Sequence, residues 1–268
     1  MMRVEWGFIF HSVSNYMAEL AEQWNSQDVQ LWKNEPGLVS TEYTFVSQHF
    51  NATKNKYELM DRATALKAVF DGAMILDCLP DGRFDDFQLG QIVNLRTQKR
   101  NDKPPEANVL VEPFDSGVVT TTKPQKIIAY RRYAAQEMIL QARYDPIAKG
   151  LLKHLGYNRP DFRTLYSLLD WMKTEGWTDK QIADVTGQSS GLLHEFTRTA
   201  NNETVLGPMA RHGGKGWKAP SKPVGIDAAR SLILPAAKAF LQSRAEEFDS
   251  TGAWSTFVRQ RKVKKKPE

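Results

Sequence analysis

Between Thr197 and Pro223 the chain reads TRTANNETVLGPMARHGGKGWKAPSKP, the stretch where its hydrogen-bonding and proton-moving side chains are densest. Arg211 and His212 are adjacent, Asn201 and Asn202 precede them, and Lys215 follows among three glycines. An arginine meets phosphoryl charge with forked N–H donors, a histidine moves protons near neutral pH, and asparagine amides orient a polar ligand. These residue types point to phosphodiester chemistry or phosphate binding. Arg211 and His212 are the candidate catalytic pair, and Asn201, Asn202 and Lys215 are the candidate substrate contacts. The structural alternative is an ordered loop in which the asparagines end a helix and Arg211 and His212 bond helix-end carbonyls.

Other chemistries fit less well. A Walker-type loop needs a glycine five positions before its Gly-Lys and a Ser or Thr after the lysine. Here Met209 and Gly216 hold those places around Gly214-Lys215, so a nucleotide loop of that kind is excluded. The five histidines (His11, His49, His154, His194, His212) show no ligand spacing and Cys78 is the sole cysteine, so neither a metal nor another cofactor is expected. GQSSG around Ser189 matches the nucleophile-elbow pattern, but that elbow follows a buried strand, whereas TDKQIADV before it reads as a charged, capped helix. The seven tryptophans lack an alternating basic and aromatic frame for stacking bases, and Asp85-Asp86 reads as a solvated loop pair.

Residues 178–199 carry a second nucleic-acid possibility. Thr178 and Gln181 form a capping box, Gly187 ends the helix, and Ser189 or Ser190 can start the next. Ala183, Gly187, Leu193 and Phe196 then follow the pattern of a DNA-reading helix-turn-helix, against which stand Gly191 and Glu195 in the recognition helix. A plain helical hairpin satisfies the same residues.

The elements that must position these residues are mostly helical. STEYTFVSQHFNAT reads as a strand with Tyr43, Phe45, Ser47 and His49 on one face. A helix capped at Asn55 follows, with Leu59, Ala63, Leu66, Phe70 and Ala73 or Met74 on its apolar side. VSNYMAELAEQWN predicts an earlier helix, and QIVNLRT and NVLVEPF predict short strands. Helical periodicity takes over from Ile127. One helix starts at Asp145-Pro146 and should stop at Gly156, one spans DFRTLYSLLDWMKTEG, and the last begins near Asp227 with a kink at Pro235. The expected fold class is α+β, predominantly helical: a small α+β domain at 1–122, a helical bundle at 123–250 and a basic tail at 251–268.

The segments DPIAKGLLKHLG, DFRTLYSLLDWM, FTRTANN and GPMARHGG, leading into a last proline-containing helix, resemble an uncharacterised group of bacterial helical proteins. That group carries a T-x-T-A-N…A-R-H-G signature and is distantly similar to the HEPN superfamily; the resemblance covers roughly residues 126–248. It implies a HEPN-like bundle, RNA as partner, RNA binding or metal-independent RNA cleavage, a defence or toxin setting, and homodimers that pair their active residues. In HEPN ribonucleases an arginine is followed by a polar residue and, further on, by a histidine. Arg211 matches the arginine and His212 the polar neighbour, but the downstream Lys215, Gly216, Trp217 and Lys218 include no histidine. A non-enzymatic dimerisation or partner-binding scaffold is therefore the alternative of a different class.

Composition sets the outer bounds. The 268 residues are 41% hydrophobic and 25% charged, enough for one large domain or two small ones. The formal net charge of +5 resides in RQRKVKKKPE at the C-terminus, which leaves the body neutral and makes the tail a candidate polyanion contact. Glu5, His11 and Asn15 break up the apolar start before it reaches signal-peptide quality, and no apolar run has membrane-span length. The expectation is a cytoplasmic protein with no membrane partner.

Overall fold

The computed structural model describes residues 4–24, 26, 28–36, 40–78, 86–105, 107–118, 134–213 and 218–250. The fold is α+β and predominantly helical, with one antiparallel sheet near the N-terminus and helices thereafter. Two compact units meet at Arg159/Pro160.

The first unit runs β1 (Trp6–Ser12), α1 (Asn15–Gln23), β2 (Gln30–Pro36), β3 (Thr41–Val46), α2 (Lys56–Cys78), β4 (Ile92–Asn94), β5 (Arg100–Asn101), α3 (Ala134–Tyr144) and α4 (Pro146–Asn158). All neighbouring strands are antiparallel, in the order β2-β3-β1-β4-β5. A β-α-β-β-α-β sequence with β3 and β1 in the middle is the split β-α-β arrangement, which hosts many unrelated functions. The register pairs Phe8 with Phe45 and Phe10 with Tyr43, so alternate residues of the central strands bring their rings to one face. Phe45 meets Phe70 of α2 edge-on at 5.9 Å, and Phe10 stacks on Phe87 at 3.9 Å. Each such fully buried aromatic contributes on the order of 2 kcal/mol of transfer free energy.

The expected apolar face of α2 is buried as read, Leu59, Ala63, Leu66, Phe70, Ala73 and Met74 included. The helix is also buried on its other sides, because α3 and α4 pack against it. That packing groups α3 and α4 with the sheet in the first compact unit, which ends at Arg159. Gly156, expected as a helix stop, lies inside α4. A Cβ there would sit 1.9 Å from the Ala68 carbonyl oxygen, and one on Gly72 would sit 2.0 Å from that of Leu152, so the pair lets two backbones touch.

Three other expectations change. The β3 strand stops at Val46, where the Ser47 hydroxyl accepts the His49 N–H and starts a 3-10 turn, Gln48–Ala52. NVLVEPF forms no strand: Leu110 is 81% exposed, and the Asn108 N–H goes to the Asp61 carboxylate instead of a neighbouring strand. The expected helix from Ile127 is present from Ala134; its first residues lie outside the described ones.

The second unit contains α5 (Phe162–Thr174), α6 (Asp179–Thr186), α7 (Ser190–Ala200), the one-turn α8 (Glu203–Leu206), a 3-10 turn (Gly207–Met209) and α9 (Ile226–Ser250). Its sequence signals are met closely. Both bonds of the Thr178/Gln181 capping box form, Gly187 is left-handed at φ 64°, and Asp161 and Ser189 cap the helices they precede. Leu165, Leu169, Phe196, Leu232, Ala236 and Phe240 are buried, and α9 packs on α5 and α6 with Pro235 inside it and exposed.

Candidate functional site

The two halves of the Thr197–Gly213 motif fold onto each other at the end of α7. Thr197 and Thr199 return their hydroxyls to the carbonyls of Leu193 and Glu195 on that helix. Thr199 is fully buried and also accepts the Val224 N–H at 3.0 Å, which ties α7 to the segment leading into α9. Gly207, at φ 54° and ψ −134°, takes a backbone shape that side-chain-bearing residues avoid and reverses the chain. The Arg163 side chain on α5 then holds the carbonyls of Pro208 and Ala210. Finally the Arg211 N–H reaches the Ala200 carbonyl at 2.9 Å and closes the end of α7.

Once the backbone is held this way, the Arg211 side chain lies over α5. Its guanidinium carbon is 4.2 Å from the centre of the Tyr166 ring, and Nη2 donates to Asp170 Oδ2 at 3.1 Å. Tyr166 and Asp170 are one turn apart on α5, so they share a face and act as a seat for the cation. The Arg211 side chain remains 37% exposed. A single carboxylate oxygen takes one N–H of five, which leaves donors that an incoming phosphate could use.

The remaining expected site residues take different positions. His212 follows on the same turn and is half-buried. Asn201 is the C-cap of α7, its N–H bonded to the Thr197 carbonyl, and its Oδ1 is buried with no hydrogen-bond partner among the described residues. Asn202 is only 3% exposed, and its Oδ1 accepts the Thr204 hydroxyl at 2.5 Å, so it acts as an internal brace rather than a surface contact. Lys215 lies outside the described residues. The structure thus brings Arg211 and Asn201 to the same end of α7, and it adds Tyr166 and Asp170. Their spacing on a helix was visible in the sequence, but nothing there linked that helix to Arg211.

The helix-turn-helix reading has the expected local shape: Ala183, Leu193 and Phe196 are buried across the Gly187 turn. The outer side of α7 offers Ser190, Gly191 and His194, and its Arg198 is paired with Glu195 at 3.2 Å. Ser189 is an N-cap that accepts the Leu192 N–H, and the helix α6 precedes it, so it has no strand-borne nucleophile elbow.

Sequence reasoning missed two polar clusters in the first unit. In one, the buried Asp28 Oδ1 accepts from His49 Nε2 at 2.9 Å and from Arg143 Nη1 at 2.8 Å. His49 is 0% exposed, and its Nδ1 accepts the Asp115 N–H at 3.0 Å. An accepting Nδ1 and a donating Nε2 define a neutral imidazole with both nitrogens occupied, which holds the fold together instead of moving protons.

In the other, Lys67 bonds Asp71 at 2.5 Å and Asp86 at 2.9 Å, and its Nζ lies 4.6 Å from the Phe87 ring centre. Arg159 reaches the same two carboxylates. Asp86 is exposed and in a loop, as read from the sequence, and it is in addition an ion-pair member; Asp85 lies outside the described residues. Burial raises the Asp71 carboxyl to about 6, despite Lys67 and Arg159. The physical reason is one-sided solvation: both cations meet Oδ2, while Oδ1 is buried and unbonded among the described residues. Burial opposes ionisation of Asp86 as well, but Lys67 and Arg159 outweigh it and hold that carboxyl below its usual value. Arg159 has φ 66° and ψ 163°, a strained shape for a non-glycine costing roughly 1–3 kcal/mol, and Pro160 after it favours the extended ψ. At 2% exposure Asp71 is out of reach of any substrate.

Among the described residues no group of three or more His, Cys, Asp or Glu could hold a metal ion, and no helix is long and apolar enough to cross a membrane. Comparison of the chain with protein-family models, with curated proteins and with solved structures finds no match.

Proposed function

We propose that the helical unit binds single-stranded RNA, with Arg211 as the principal contact. The observation that carries this reading is the half-exposed Arg211 guanidinium, seated over Tyr166 and steadied by Asp170. Single-stranded RNA is recognised by stacking on aromatic rings and guanidinium planes and by charge-assisted bonds to phosphate. A seated arginine loses less side-chain freedom on binding than a free one, so its geometry favours contact.

Binding is proposed ahead of cleavage. Cleavage of an RNA phosphodiester needs a base for the 2′-hydroxyl and an acid for the leaving oxygen. His212 could take one role, and the downstream histidine of HEPN ribonucleases has no counterpart in 213–218.

The test is fluorescence anisotropy with labelled single-stranded RNA and, in parallel, duplex DNA of the same length. Wild-type protein should prefer the RNA, and Arg211→Ala should weaken binding about tenfold, the scale of one charge-assisted contact. Equal affinity of wild type and Arg211→Ala overturns the reading. Preference for duplex DNA would transfer it to α6 and α7.

A further inference from the structure

The first unit contains a cavity of about 500 Å³ that the Arg211 reading does not use. It lies on the helix-covered face of the sheet, where β1, β4 and β5 run past the first turn of α2. Trp6 and Ile92 come from the sheet and Leu59 from α2, and together they give it apolar walls. Lys54 and Lys56 line it from the α2 side, and Asn101 and Asp102 from the β5 side.

Two features set the chemistry of an occupant. Lys54 and Lys56 are exposed, and neither ammonium is in an ion pair among the described residues; Lys56 Nζ lies only 5.4 Å from the neighbouring Tyr57 ring. The Tyr57 and Glu58 N–H groups at the start of α2 are already taken by Asn55 Oδ1, so attraction for an anion falls to the lysines. On the β5 side the Asn101 side-chain amide is in no hydrogen bond among the described residues, and Asp102 receives only a 3.4 Å bond from Gln91. Asp102 is an acceptor that repels a second anion and welcomes N–H or O–H donors.

An occupant must therefore be anionic at one end, carry hydrogen-bond donors at the other, and present a ring for Trp6. We infer that this cavity binds a nucleoside monophosphate. Its phosphate meets Lys54 and Lys56, its ring packs against Trp6, and its sugar hydroxyls or base N–H groups meet Asn101 and Asp102. The volume falls within the range of about 300–1,000 Å³ usual for small-molecule sites.

Isothermal titration calorimetry on the full chain tests this, using the four common ribonucleoside 5′-monophosphates, the corresponding nucleosides and inorganic phosphate as probes. At least one monophosphate should bind tenfold or more tightly than its nucleoside and than phosphate alone. The double variant Lys54→Gln/Lys56→Gln should lose that tenfold preference, and Trp6→Phe should weaken binding severalfold. Both lysines are exposed, and circular dichroism of the double variant checks that it folds. Arg211→Ala should leave this affinity unchanged, which separates the cavity from the RNA contact. No heat from any monophosphate at millimolar concentration overturns the proposal. So does a nucleoside that binds as tightly as its monophosphate, or binding that the folded lysine variant retains in full.

Discussion

Gly72 and Gly156 face each other where α2 crosses α4, so closely that a Cβ on Gly156 would lie 2.6 Å from the Gly72 amide nitrogen. Replacing a helical glycine by alanine ordinarily stabilises by up to about 1 kcal/mol. Here the added methyl meets backbone that has no rotamer to change. Gly156→Ala and Gly72→Ala should each destabilise by about 1–3 kcal/mol, the usual cost of overpacking. Urea denaturation measures it, and a stabilised alanine variant would refute the close crossing.

Burial holds the Asp71 carboxyl at about 6, above the ordinary value near 3.8 that it regains on unfolding. Between those values the folded chain binds the extra proton, so stability is greatest below about pH 4 on this account and falls as pH rises through 6. The loss is on the order of 3 kcal/mol. Asp71→Asn should flatten that slope in denaturation curves recorded from pH 4 to 7. An unchanged slope would assign the titration elsewhere.

Asp28 is the common acceptor of His49 and Arg143, and its side chain and that of Arg143 are 2% and 3% exposed. Asp28→Ala strands a buried guanidinium, which costs about 3–5 kcal/mol. Thermal unfolding of the variant gives the value; a loss under about 1 kcal/mol would show that the network contributes little.

Asp170 both seats Arg211 and competes for it. Asp170→Asn keeps the shape of the seat and removes its charge, so RNA affinity should rise about two- to fivefold at low salt while stability changes by less than about 1 kcal/mol, as for an exposed ion pair. Weaker RNA binding by this variant would mean that Asp170 positions the arginine more than it restrains it.

Helix ends were the most legible part of the fold. Asp145-Pro146, the Thr178/Gln181 box, Gly187 and Ser189 act within one turn of themselves, so residue type alone determines their roles. The apolar periodicity of α2 and α5 was legible for the same reason. Gly156 was not, because a glycine that stops a helix and one that admits a neighbouring backbone are the same residue until the neighbour is known. The strand expected at NVLVEPF failed likewise, since pairing depends on a free sheet edge at the right place. In the candidate site, the sequence singled out Arg211, Asn201 and Asn202 by their chemistry, but it could not tell that Asn202, read as a candidate substrate contact, is buried.

Local chemistry, then, was determined by the sequence itself: which residues cap and which turn. Only the tertiary structure decided partners. Asp86 joins Lys67 and Arg159, Asp28 joins His49 and Arg143, and Tyr166 with Asp170 receives Arg211 across 41 residues of chain. Capping bonds span a few residues and are nearly independent of the rest of the fold. A buried ion pair or a seated arginine instead joins groups from distant segments, and its geometry exists only after the helices between them have packed.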